Sequence, residues 1–390
     1  MIQKRGDRCR LADWRAVFCW LPICCALLIG AVACCAADAT ESELCYIGSG
    51  EKDIHVYRMD TSTGALREVA PPALIAHPSF ITLSPHYECL YAVTEGGGQN
   101  SSSVSAFSVD RQSGKLTFIN KEPAGGSGPC HVAVDQSGKA LLAANYSSGS
   151  MAVFPIKEGG AIGGRSGFFQ GEGSSVNRQR QEGPHAHCVI TDPADRFALL
   201  CDLGLDKVFV FKFDPIAATI TANDPPFALV KAGSGPRHIT FHPNGRFAYL
   251  ISEMGQTMTA FKYDASRGAL HEIQTESTIP EDFTAPSTCA EVLVHPSGKF
   301  LYGSNRGHNS IVEFTIDSAT GRMTRVGWTP TQGKTPRNFE IDPTGKFLVA
   351  ANQDSDTVVV FRIDANTGAL TPAGQKIESL RPMCVKFCPF

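Results

Sequence analysis

The residue types best able to do chemistry in this chain recur in short, similar contexts. His185 and His187 lie in Gly183-Pro-His-Ala-His187, and Arg237 and His238 in Gly235-Pro-Arg-His238. Glu253 sits in Ile251-Ser-Glu-Met-Gly255, Arg306 in Ser304-Asn-Arg-Gly307 and Arg337 in Thr335-Pro-Arg-Asn338. Imidazole exchanges a proton near neutral pH. A guanidinium holds a permanent charge on a rigid fork of donors, suited to a carboxylate, a phosphate or a developing oxyanion. Any one of these residues alone would read as a structural histidine or a plain ion pair. Their convergence on one end of a common channel is what points to a pocket for a small anionic substrate, and His131 shares the phase of the Pro-His-Ala-His187 and Gly-Pro-Arg-His238 motifs. Histidine and carboxylate also suit zinc, so His185, His187, His238 and Glu253 offer a metal reading. Three arginines among them would repel a dication, so no metal and no other cofactor is expected.

The elements that must position these residues follow from an internal repeat. Phe241-His-Pro-Asn-Gly-Arg-Phe247, Val294-His-Pro-Ser-Gly-Lys-Phe300 and Ile341-Asp-Pro-Thr-Gly-Lys-Phe347 are copies, with weaker ones at Pro85, Gln136 and Pro193. The marker positions 85, 136, 193, 243, 296 and 343 step by 51, 57, 50, 53 and 47 residues, and Val385-Lys-Phe-Cys-Pro389 adds a last partial copy. A second marker, Val56-Tyr-Arg-Met-Asp60 followed by Gly64-Ala-Leu66, recurs in phase with the first, again seven times. Pro-x-Gly turns between short apolar runs, with no helical period, indicate strands. Units of about 50 residues with four strands each correspond to propeller blades. The chain past its first residues begins mid-unit at Leu44-Cys-Tyr-Ile47 and finishes with the missing half. The expected fold is therefore all-β: a seven-bladed β-propeller of four-stranded blades, its ring closed by strands from both termini, which removes exposed sheet edges. Repeat-shared residues should be structural. Polar residues carried by only some inner strands should face the channel. Glu253 and Arg306 each lie ten residues beyond their prolines.

Bulk properties narrow the partners. The net charge is −3, without a basic run beyond the amino terminus, which excludes a nucleic-acid surface. Lys4, Arg5, Arg8, Arg10 and Arg15 precede an uncharged stretch at 16–37 and a small-x-small site, Ala37-Asp38-Ala39. That pattern reads residues 1–39 as an export signal, or as an uncleaved anchor tethering the chain through residues 16–37, with the propeller at 40–390. A periplasmic or extracellular location and a monomer are expected. Eight cysteines follow the leader, from Cys45 to Cys388, with no C-x-x-C among them; they read as small buried hydrophobes.

At these motifs the sequence resembles the seven-bladed propeller lactonases, which include bacterial 6-phosphogluconolactonases of the propeller type and fungal 3-carboxy-cis,cis-muconate lactonising enzymes. Pro-His-Ala-His187, Gly-Pro-Arg-His238, Ser-Glu-Met254 and Asn-Arg306 carry the resemblance, which spans about Leu44 to Phe390. It implies a catalytic set of His187, Arg237, Glu253 and Arg306; His185, His238, Arg337 and His131, read from their places in the repeat, are the substrate-binding candidates. It also implies hydrolysis of a small lactone by activated water, with a lactone-forming cycloisomerase and a non-catalytic binding propeller as alternatives. Arg237 and Arg306 would hold an anionic group or the oxyanion, and His187 would be the base, because a glutamate among arginines is a weak one. No G-x-S-x-G elbow accompanies these residues, which favours water over an acyl-enzyme. The leader departs from the cytosolic 6-phosphogluconolactonases and puts a phosphorylated substrate in question.

Overall fold

A computed structural model describes residues 42–96 and 101–389 of the chain. The leader at 1–39 lies outside them, and among the described residues no helix is long and apolar enough to cross a membrane. The strands form seven four-stranded antiparallel sheets, here blades 1–7 in chain order. Blade 5 shows the plan, with Pro236–Phe241, Phe247–Ser252, Thr257–Asp264 and Ala269–Ser277 in order from the axis outwards. Its proline marker makes the first turn: His242 N–H donates to Phe247 O at 2.9 Å and Gly245 N–H to His242 O at 2.8 Å. Gly245 takes φ +68° there, a conformation that costs glycine nothing.

The first strand of each blade packs against the first strand of the next, and the last such contact returns from blade 1 to blades 2 and 7. These seven strands therefore surround the axis. Blade 1 is built from both ends of the chain. Its inner strand Pro382–Cys388 pairs with Ser42–Ser49, with Leu44 opposite Cys388 and Gly48 opposite Cys384.

Second strands such as Phe247–Ser252 and Phe347–Asn352 are buried along their whole length, because each sheet is covered on both faces by neighbouring blades. Outer strands such as Leu116–Pro123 keep only a few residues from water. The core is thus a set of inter-blade layers. One layer, for example, sets Leu199 and Val210 of blade 4 against Ile239 and Phe261 of blade 5. The eight cysteines of the described residues are buried and unpaired.

Shared residues latch one blade to the next. Tyr46, Tyr91, Tyr249 and Tyr302 donate to the carbonyls of Gly114, Gly160, Gly321 and Gly368 at 2.8–3.1 Å. His242 and His295 of the proline markers reach Gly298 O and Gly345 O at 2.9 and 2.8 Å. Each such bond contributes about 1 kcal/mol, and the repeat-shared histidines are accounted for by structure alone.

Candidate active site

In blades 3, 4, 5 and 7 the pairing of the two innermost strands skips one residue. Ala186 faces Asp202 and Cys188 faces Cys201, which leaves His187 unpaired. The same skip isolates Cys130, Arg237 and Arg337. A bulge of this kind breaks the in–out alternation and re-aims the extra side chain. Two neighbouring residues per strand, six and five positions ahead of the marker, then border the channel together. They meet at a waist of about 10 Å³, where Cys130, His187, Arg237 and Arg337 lie beside Phe80, His238, Glu291 and Asn338. That is room for one water at most. On one side of the waist opens a cleft of about 200 Å³, and on the other a cavity of about 560 Å³.

The cleft centres on Glu253. Its Oε1 accepts from Arg180 Nη2 at 2.7 Å, and its Oε2 from Arg237 Nε at 3.0 Å and Arg306 Nη2 at 2.9 Å. Burial raises the Glu253 carboxyl, but the three guanidiniums outweigh it and hold the group down at about 2. Arg237 is fully enclosed and also donates to Ala290 O at 2.7 Å. Burial and the neighbouring Arg306 bring it down to about 10, so it stays charged at neutral pH. Arg306 donates to Cys289 O at 2.8 Å. Arg337 is the least engaged guanidinium, its one ionic contact being Glu95 at 3.8 Å.

His187 borders the same cleft, and its Nδ1 is buried without a partner. Burial first, then the charges of Arg237, His238, Arg337 and Arg306, push its imidazole well below the ordinary value of 6.5. The ring is therefore neutral at physiological pH and stands on the wall of a cationic cleft.

Of the eight residues singled out in the sequence, the structure brings His187, Glu253, Arg306 and Arg337 together as cleft wall. Arg237 stands behind Glu253 and does not line the cleft. His185 turns away from the channel: its ring stacks on Tyr146 at 4.6 Å and its nitrogens reach Tyr146 O and Glu182, each at 3.2 Å. Period-two alternation would set His185 and His187 on one side, and the bulge at His187 interrupts it. His131 and His238 lie beyond the waist and border the larger cavity. One pocket for all eight is thus corrected to two chambers.

Sequence reasoning missed Tyr146, Glu95 and Arg180, which with Cys130 complete the cleft. The signal for two of them was present: Tyr146 and Glu95 lie ten residues beyond markers 136 and 85, the phase of Glu253 and Arg306. Arg180 had no such signal. It sits in the loop between Gly167–Gln170 and Ala186–Thr191, within the longest marker step. Bonds from Ser175 to Asp206 at 2.5 Å and from Gln181 to Leu203 O at 2.9 Å pin that loop over the mouth.

Fold and cleft together define a seven-bladed propeller with one axial mouth lined by guanidinium, imidazole and carboxylate. The family model described as lactonase, 7-bladed beta-propeller matches residues 44–387, and the chain belongs to that family. The chain is 35% identical to the 6-phosphogluconolactonase of Bacillus subtilis over 297 residues, 76% of this chain and 83% of the relative. It is 36% identical over 293 residues to a protein of the same name from Formosa agariphila, covering 74% of this chain and 82% of the other. Among solved structures, the periplasmic gluconolactonase of Pseudomonas aeruginosa superposes with a TM-score of 0.84 at 30% identity, over 89% of this chain and 99% of that one.

Proposed function

We propose that this chain hydrolyses a small sugar-type lactone in the cleft around Glu253, with His187 as the base. The observation that carries the reading is a buried, neutral His187 on the wall of a cleft that holds three guanidiniums, with a fourth, that of Arg237, directly behind the Glu253 carboxylate. At about 200 Å³ the cleft is smaller than sites for drug-sized ligands, in keeping with a single sugar ring. Water adds to the lactone carbonyl carbon, the carbonyl π pair moves onto its oxygen, and His187 takes the proton that water loses. Arg306 and Arg337 stabilise the oxyanion and any anionic substituent. Collapse breaks the ring C–O bond, and the leaving oxygen takes the proton back from the imidazolium. The developing negative charge raises the basicity of His187 as the reaction proceeds. Glu253 works through the arginines, because its depressed pKa makes it a poor base. Arg237 is a positioning residue for Glu253.

We also place the protein outside the cytosol. The basic and apolar leader of residues 1–39 supports this, as does the name of the Pseudomonas relative.

The test is a pH-stat assay of δ-gluconolactone and its 6-phosphate, with spontaneous hydrolysis subtracted. Wild-type protein accelerates at least one of the two, and His187→Gln loses about 10²–10⁴-fold in kcat. Folded His187→Gln and Arg306→Met proteins that keep wild-type kcat/KM would overturn the assignment.

A further inference from the structure

Beyond the waist the channel carries a different set of groups. Five residues ahead of their markers, successive inner strands present Phe80, His131, Cys188, His238, Glu291 and Asn338 to one another. His131, Cys188 and His238 each offer one ligand atom, all buried and all within 4.8 Å of one another. Cys188 Sγ lies 3.5 Å from His131 Nε2. That separation is about the one two ligands adopt around tetrahedral zinc, given Zn–S near 2.3 Å and Zn–N near 2.0 Å. The other two separations are within 4.8 Å, so those ligand atoms draw together on binding.

Two further observations point to a ligand here. His238 Nδ1 is 2.8 Å from Glu291 Oε1, and Asn338 Nδ2 donates to Glu291 Oε2 at 2.5 Å. The carboxylate fixes the proton on Nδ1, so Nε2 carries the lone pair, and that Nε2 is buried without any partner. A carboxylate behind an imidazole is the usual outer support of a metal-binding histidine. For His131 to ligate through Nε2 its proton must move to Nδ1, which gives up only the weak 3.5 Å hydrogen bond that Nδ1 accepts from Val189 N–H.

Charge fits as well. Among the described residues no arginine lines this cavity, Arg237 and Arg337 standing at the waist with Arg237 held by Glu253, and its lysine, Lys386, is paired with Glu340. A Cys188 thiolate with the Glu291 carboxylate balances a dication. The cavity of about 560 Å³ gives the ion a route in and room for a water as fourth ligand.

We infer that His131, Cys188 and His238 form a binding site for a thiophilic divalent cation of the zinc class, in the chamber opposite the lactone cleft. On binding, Cys188 forms the S–metal bond and releases its thiol proton to solvent. The inference does not rest on the lactonase reading, and its test does not use turnover.

Tag-free, reduced protein is titrated with Co²⁺ and watched for the thiolate-to-cobalt charge-transfer band and tetrahedral d–d bands. One equivalent of Co²⁺ is expected to develop both, and Zn²⁺ to displace them. Cys188→Ser should abolish the charge-transfer band. Glu291→Gln, which removes no ligand, should weaken Co²⁺ binding by about 10–100-fold, and it keeps the idea testable where Cys188→Ser does not fold. A wild-type protein without the band, a band that survives Cys188→Ser, or unchanged affinity in Glu291→Gln would each overturn the site.

Discussion

His187 and Glu253 are neighbours in one cleft whose environments drive both pKa values down, so both make the fold less stable as pH falls, in different pH windows. The folded carboxyl of Glu253 sits at about 2, below its ordinary 4.5. The stability it contributes is full above about 4.5 and disappears as pH falls towards 2. The folded imidazole of His187 sits well below 6.5. The unfolded chain therefore takes up that proton first, and stability declines as pH drops below about 6.5. Thermal melts between pH 7.5 and 5 should fall in wild type and fall less steeply in His187→Gln; parallel slopes would remove the buried neutral histidine from the account. Arg237 makes a separate prediction. Arg237→Met removes a charge that holds Glu253 ionised and His187 neutral, so the acid limb of kcat/KM should move to higher pH. The kcat should drop by tenfold or more while KM changes little. Arg237→Lys, which keeps the charge, should restore much of the lost rate. A purely structural role would leave the limb in place.

The blade is the scale at which turn chemistry becomes geometry. Gly321 ends the Asp–Gly turn of blade 6 at φ +75°, and a Cβ there would stand 2.4 Å from the Phe247 ring of blade 5. Its carbonyl also takes the Tyr249 hydroxyl at 3.1 Å. Gly321→Ala should therefore cost about 2 kcal/mol or more, through strain and the displaced ring. Tyr249→Phe, which removes only the hydrogen bond, should cost about 1 kcal/mol. Urea midpoints measure both, and equal losses would mean that the latch, not the packing, governs the joint. These positions were legible from the sequence, because the Asp–Gly marker repeats with its spacing intact. The bulges were not. A bulge is a mismatch between two strands, and nothing within Gly183-Pro-His-Ala-His187 states which residue its partner will skip.

At the scale of the ring, closure depends on the pairing of Pro382–Cys388 with Ser42–Ser49. Ending the chain at Ser379 would bare the edge of Ser42–Ser49 and remove Cys384, Val385 and Phe387 from buried layers. Such a protein should lose its single cooperative melt and aggregate on size-exclusion chromatography. A soluble monomer with an unchanged melt would contradict the ring as the unit of stability.

The sequence by itself determined the architecture and the candidates. Turn residues and apolar runs are local, so their sevenfold period and split phase already specified a closed propeller, and the departures from that period marked His187, Glu253, Arg306 and Arg337. Tertiary structure alone decided how those candidates divide. Inter-strand bulges set the waist, and with it the separation of His131 and His238 from the cleft around Glu253. A loop outside the repeat brought Arg180 to the Glu253 carboxylate. Both depend on contacts between segments far apart in the chain, which no local spacing records.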